Sequence, residues 1–147
     1  MKFLIVVMDG LRPDLVTPKR MPRLAAFADQ ACRMTGARSC FPSITRVNKV
    51  SLATGAAPAE HGVWANGFYS PQVAGGTELD FGRIEDVQAA DAAYGRLIRV
   101  PTAHELLTPH GKTYAAIHTG SAGAAGLIAY RAEQNGGLRY SFAGDVL

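Results

Sequence analysis

Apolar positions recur along this chain in different rhythms, and each rhythm predicts a different element. Residues 3–8 (FLIVVM) are apolar at every position and run into Asp9-Gly10. A strand covered on both faces reads this way, and such strands belong to parallel sheets. Between residues 21 and 33 the apolar positions Leu24, Phe27, Ala28 and Ala31 fall at i, i+3, i+4 and i+7, the stripe of an amphipathic helix. A short strand is expected over 34–40, leading into Phe41-Pro42. Residues 45–53 then read as a helix that stops at Gly55.

The middle of the chain is less regular. Residues 56–82 are rich in Gly, Pro and Ala and read as an ordered loop with little regular structure. Helix is expected over 85–93. Thr102 with Glu105 three residues on makes a capping box for a helix over 103–108, which Pro109 and Gly111 end. Residues 113–118 (TYAAIH) predict a further buried strand, 121–134 a helix of small residues ending at Asn135-Gly136, and 138–142 (LRYSF) another strand. Strands alternating with helices predict an α/β fold with a largely parallel sheet. No internal repeat or low-complexity tract interrupts the pattern.

Composition narrows the class. The 147 residues favour one domain, and 48% hydrophobic against 18% charged residues argues for a globular core. The net charge of +3 is mild and the bases are scattered, so no nucleic-acid polymer is expected as a partner. Such a field suits a small anionic substrate, and a solvated surface equally well. The apolar run at the start is too short for a secretion signal, and nothing approaches the ~20 apolar residues of a membrane span; the expectation is a cytoplasmic protein. Cys32 and Cys40 are expected as free thiols, because two cysteines make no disulfide framework.

Three polar residues stand where chemistry is possible. Asp9 follows the first predicted strand, and ligand sites in open α/β sheets lie beyond the carboxyl ends of strands. The same residue reads equally as an N-cap for residues 11–16. Thr45 opens the predicted helix after Pro42. A helix N-terminus suits phosphate, a threonine hydroxyl needs a base or a metal to become nucleophilic, and an ordinary cap would also explain it. Asn66 sits in HGVWANGFY, where an amide either donates to a phosphoryl oxygen or shapes the turn before Gly67. His61, His104, His110 and His118 show no metal-ligand spacing. Trp64, Phe68 and Tyr69 would either stack on a ring or pack the loop.

Four stretches in order, LIVVMDGLRPD (4–14), MPRLAAFA (21–28), FPSITRVNKVSLATG (41–55) and PAEHGVWANGFY (58–69), resemble the N-terminal part of the type I phosphodiesterase/nucleotide pyrophosphatase family. That family belongs to the alkaline phosphatase superfamily and includes phosphonoacetate hydrolases. The resemblance covers residues 3–71, with weaker support to about 120. It implies a three-layer α/β sandwich with a largely parallel sheet, of which residues 1–147 are the N-terminal part of a single catalytic domain. It implies a two-zinc hydrolase of small phosphodiester, pyrophosphate or phosphonate substrates acting through a phosphothreonine. Asp9 would be a ligand of one zinc, Thr45 the nucleophile on the same zinc, and Asn66 a donor to the transferring phosphoryl group.

Two departures qualify that picture. Nucleotide pyrophosphatases read Phe-Pro-Asn-His after the threonine and phosphonoacetate hydrolases Asn-Pro-Asn-Asn, whereas this chain reads Arg46-Val47-Asn48-Lys49. The substrate subclass stays open, and Lys49 would meet a charged substrate group or solvent. The later metal ligands of the family, an Asp-x-x-x-His, an Asp-His pair and a final His, have no counterpart: Asp80, Asp86, Asp91 and Asp145 have no His four residues on. The expectation is an incomplete metal shell, an inactive 147-residue piece and a need for the rest of the catalytic domain. The alternative is a non-catalytic α/β remnant or anion-binding domain.

Overall fold

The computed structural model describes residues 2–73 and 75–143, and its contacts divide the chain into two units, 1–38 and 39–147. In the first, a 3-10 turn at Pro13–Leu15 precedes helix α1, Pro22–Gln30. Pro at the first helical position suits the helix start, since its missing N–H would have no partner there. The face of α1 differs from the predicted stripe. Ala25 is its buried residue and Phe27 is 69% exposed.

Residues 3–8 and 34–40 form no strand. Extended chain becomes a strand only by exchanging hydrogen bonds with a neighbour, and no ladder engages either segment. The apolar run is correspondingly open, from 45% exposed at Met8 to 88% at Leu4. Met8 and Leu11 instead close a turn over Asp9-Gly10, with Leu11 N donating to Met8 O at 3.2 Å. Gly10 takes φ 77° there, a conformation that costs glycine nothing.

The second unit contains α2 (Thr45–Thr54), α3 (Pro58–His61), β1 (Gly67–Ser70), β2 (Thr77–Asp80), α4 (Ile84–Tyr94), α5 (Ala103–Leu107), β3 (Ala115–Ser121), α6 (Ala122–Ile128) and β4 (Leu138–Ala143). The predicted helices over 45–53, 85–93 and 103–108 all appear, the last with its capping box: Thr102 N donates to Glu105 Oε2 at 2.8 Å and Glu105 N to Thr102 Oγ1 at 3.4 Å. The segment predicted as loop instead holds α3 and an antiparallel hairpin, in which Gly67 faces Asp80 and Ser70 faces Thr77. The predicted helix over 121–134 is shorter, ending at Ile128 before a 3-10 turn at Glu133–Asn135.

The result is a mixed α/β unit with two small sheets, one antiparallel (β1, β2) and one parallel (β3, β4). In the parallel pair Ala115 registers with Leu138 and His118 with Ser141, and α6 is the crossover between them. The core is Val47 and Val50 of α2, Val63, Leu79, Phe81, Val87, Ala90, Leu97, Ile98, Leu127 and Tyr130. Six of the ten residues of α2 (Thr45, Val47, Asn48, Val50, Ser51, Thr54) are weak helix formers, so packing contributes more than propensity to holding it. Burying Val47 and Val50 completely contributes about 1.5–3 kcal/mol each. Close packing of α6 needs its small residues: a side chain at Gly123 would lie 2.5 Å from Phe81 O.

Candidate functional site

The start of α2 is unusual for the residue that caps it. The N-cap is Ile44, in extended conformation and without any side-chain cap. Thr45 is therefore the first residue inside the helix, and the plain-cap reading of its hydroxyl does not hold. The extended approach is fixed from within the helix. Asn48 accepts from Cys40 N at 2.8 Å through Oδ1 and donates through Nδ2 to Ile44 O at 3.0 Å and Pro42 O at 3.2 Å. The amide in the middle of the motif thus clamps the strap that delivers Thr45.

Asn66 reaches the same helix end. Arg46 N donates to Asn66 Oδ1 at 3.2 Å, so one of the first-turn N–H groups left open by the helix is tied to the loop. A backbone N–H can only donate, which fixes the amide oxygen toward the helix and leaves Nδ2 as the donor presented elsewhere. Gly67, next to Asn66, packs tightly on β2, where a side chain would lie 2.1 Å from Leu79 O. Thr45 and Asn66, twenty-one positions apart, are brought together around one helix N-terminus. Asp9 lies in the other unit, exposed, in its own turn. The 3-10 turn that follows starts from Arg12 and carries no side-chain cap, so Asp9 does not cap it.

The basic residues of the motif are both engaged. Arg46 Nη2 lies 3.8 Å from Asp80 Oδ1. Lys49 Nζ lies 2.5 Å from His118 Nε2, in the middle of β3, where a charged substrate group or solvent was expected. Sequence gave no means of pairing residues 69 apart. Ser51, also in this stretch, pairs with His61, which is fully buried. Val63 N donates to His61 Nδ1 at 3.2 Å, so the ring proton sits on Nε2 and goes to Ser51 Oγ at 2.9 Å. Burial pushes the pKa of His61 below the usual histidine range, against a smaller upward pull from Glu60.

The aromatic residues of the loop divide. Phe68 packs edge-on against Phe81, ring centres 5.4 Å apart, while Trp64 and Tyr69 are 55% and 66% exposed. Trp64, Phe68, Phe81, Tyr94 and Leu97 line a cavity of about 360 Å³ behind the loop that carries Asn66; Thr45 is not among its walls. Farther away, Asp91 accepts from Tyr130 Oη, Leu97 N and Arg131. Burial alone would raise this carboxyl, but those donors hold it below the usual carboxylate range, and burial with the Asp91 bond pushes the Tyr130 phenol up to about 12. These bonds lock α4 to the chain after α6.

Among the described residues no three His, Cys, Asp or Glu side chains cluster as a metal site. What Asp9 and Thr45 offer is a carboxylate and a hydroxyl, hard oxygen donors of the kind divalent cations accept.

No solved structure matches the chain. An uncharacterized pyrophosphatase/phosphodiesterase of Schizosaccharomyces pombe is 31% identical over 68 residues, which is 46% of this chain and 14% of that protein. The chain thus spans a small part of the length of this curated relative. The sequence profile of type I phosphodiesterase / nucleotide pyrophosphatase matches residues 3–100, a stretch that takes in Asp9, Thr45 and Asn66 and well over half of the chain. This chain belongs to the type I phosphodiesterase/nucleotide pyrophosphatase family.

Proposed function

We propose that this chain carries the nucleophile and the phosphoryl-binding donors of a metal-dependent hydrolase that acts on small phosphodiester, pyrophosphate or phosphonate substrates. Residues 1–147 form, in this reading, the N-terminal part of one alkaline-phosphatase-like catalytic domain with a three-layer sandwich. The observation that carries it is the position of Thr45: inside the first turn of α2 rather than at its cap, at the same helix end where Arg46 N donates to the Asn66 amide oxygen.

Thr45 Oγ1 attacks phosphorus, forming a threonyl–phosphorus ester as the bond from phosphorus to the leaving group breaks, and the hydroxyl proton passes to solvent. Asn66 Nδ2 and the first-turn N–H groups hold the phosphoryl oxygens, where the positive end of the helix dipole favours the charge that develops. Water then attacks the phosphothreonine and frees Thr45 for another cycle. Asp9 and Thr45 would hold one zinc, which when bound supplies Lewis-acid activation of the hydroxyl. Two oxygen donors fall short of the three or four protein ligands zinc takes, so the shell needs residues beyond these two.

The test is covalent. Protein with a complete metal shell, given an activated phosphodiester and quenched in acid, should carry one phosphoryl group on the peptide containing Thr45. Thr45→Ala should abolish both the label and turnover without disturbing the fold, since it removes a hydroxyl and no core volume. Near-wild-type turnover by Thr45→Ala would falsify the assignment. Asp9→Ala should lower zinc content and turnover together. The 147 residues alone should bind zinc weakly, and tight stoichiometric binding in a calorimetric titration contradicts the two-donor argument.

A further inference from the structure

Four of the residues that wall the cavity behind the Asn66 loop are aromatic: Trp64, Phe68, Phe81 and Tyr94. Three of them hold one another in place. Phe68 meets Phe81 edge-on, and its ring centre lies 6.2 Å from that of Tyr94. The Tyr94 hydroxyl in turn lies 2.8 Å from Ser70 Oγ, which ties it to β1. Trp64 and Tyr94 stay partly in water, at 55% and 41% exposure, so the cavity is not sealed. Its volume of about 360 Å³ falls at the small end of the range for small-molecule sites, which are mostly apolar with a few placed polar groups.

Two cations belong to this wall, Arg96 and Arg99, and only one is committed to the fold. Arg96 gives Nη1 and Nη2 to the Glu105 carboxylate at 2.9 and 2.8 Å, and Nε to Ile98 O at 2.6 Å. Arg99 is fixed differently. Its backbone N donates to His61 O at 3.1 Å. Its side chain lies across Gly62, where an added side-chain carbon would stand 2.8 Å from Arg99 Nε and 2.9 Å from Cδ. Arg99 is exposed, and among the described residues no carboxylate lies within ion-pair distance of it. A guanidinium suits a carboxylate or phosphonate, which it can meet with two parallel hydrogen bonds.

We propose that this cavity binds a small aromatic anion, with the ring packed among the four aromatic side chains and the charged substituent on Arg99. An alkyl chain of similar size would fill the space without the edge-to-face and offset contacts that rings make with one another. The site is independent of the reading of Thr45, which is not among its walls.

Trp64 is the one tryptophan of the chain, so its fluorescence reports on this cavity. The dilute chain, without added metal, is titrated with phenylphosphonate, hexylphosphonate, methylphosphonate and benzyl alcohol, which separate ring, alkyl chain and charge. Phenylphosphonate should change Trp64 emission saturably and bind ten-fold or more tightly than each of the others. Excess methylphosphonate should not displace it, which distinguishes the cavity from an anion site at the start of α2. Arg99→Gln should bring phenylphosphonate down to the level of benzyl alcohol, and Arg99→Lys should restore part of the difference. Because Arg99 is exposed, a thermal melt of either variant should match the wild type, and the Trp64 indole nitrogen resonance gives a readout that needs no variant. A change that never saturates, equal affinity for the phenyl and hexyl probes, displacement by methylphosphonate, or unchanged affinity in a folded Arg99→Gln overturns the inference.

Discussion

Asn48 makes three hydrogen bonds to backbone atoms on either side of the cis Phe41-Pro42 bond. That strap has no ladder of its own, so the side chain serves where a neighbouring strand otherwise would. Asn48→Ala leaves the half-buried Cys40 N–H without its acceptor and should cost about 1–3 kcal/mol, read as a lower urea midpoint at unchanged slope. His61 makes a pH prediction. Its folded pKa is depressed, so the unfolded chain binds the extra proton first. Its contribution is present above the unfolded value of about 6.5 and is lost as pH falls through the lower folded value. Stability should thus decline between neutral pH and pH 5 in the wild type, and the decline should flatten in His61→Gln. An equal slope in both proteins would locate the effect elsewhere. At this scale the sequence showed which residues were chemically capable, Thr45 and Asn66 among them. It could not show partners: the Ser51–His61 pair and the Lys49–His118 contact join residues that no local spacing relates.

Helix α2 ends and the β1–β2 hairpin begins at glycines that are needed for opposite reasons. Gly55 closes α2 with φ 69° and has open space where a side chain would go. Gly67 is confined by Leu79 O, 2.1 Å from the position of a side-chain carbon. Gly55→Ala should therefore cost about 1–2 kcal/mol through the backbone alone. Gly67→Ala should cost about 1–3 kcal/mol through overpacking and also move Asn66, next to it in the chain. The discriminating measurement is the Arg46 amide, whose bond to Asn66 Oδ1 should exchange faster with solvent in Gly67→Ala and not in Gly55→Ala. Element by element, legibility followed signal strength. Helices with a cap or a glycine stop were readable, as at Thr102 and Gly55. The hairpin was not, because strands of four residues in a Gly- and Pro-rich stretch show no alternation long enough to count. The continuous apolar run at 3–8 carried a strand pattern, but pairing depends on a neighbour that local sequence does not contain.

Across the whole molecule the α/β class was readable from the alternation of strand and helix, while the extent of the sheet was not, since it depends on which strands pair. The parallel pair β3–β4 packs α6 on one side. Its other side presents Ile117 at 80% exposure, Leu138 at 66% and Phe142 at 78%, with Tyr140 in the same row. These residues alternate along their strands and, with Ile117 registered against Tyr140, make a continuous apolar face. Parallel sheets are normally covered on both faces, and exposed apolar patches beyond a few hundred Å² drive association. The isolated 147 residues should consequently bind an apolar dye and self-associate as concentration rises, which sedimentation velocity would detect. Replacing Ile117 and Phe142 together by Lys should suppress both, because each charge sits in the middle of the face and buries no core atom. It should leave the urea midpoint nearly unchanged, since neither side chain is covered in the monomer. A chain that stays monomeric and dye-free across the same range, or a double variant that associates as strongly as the wild type, would show that this face is not where the chain seeks cover.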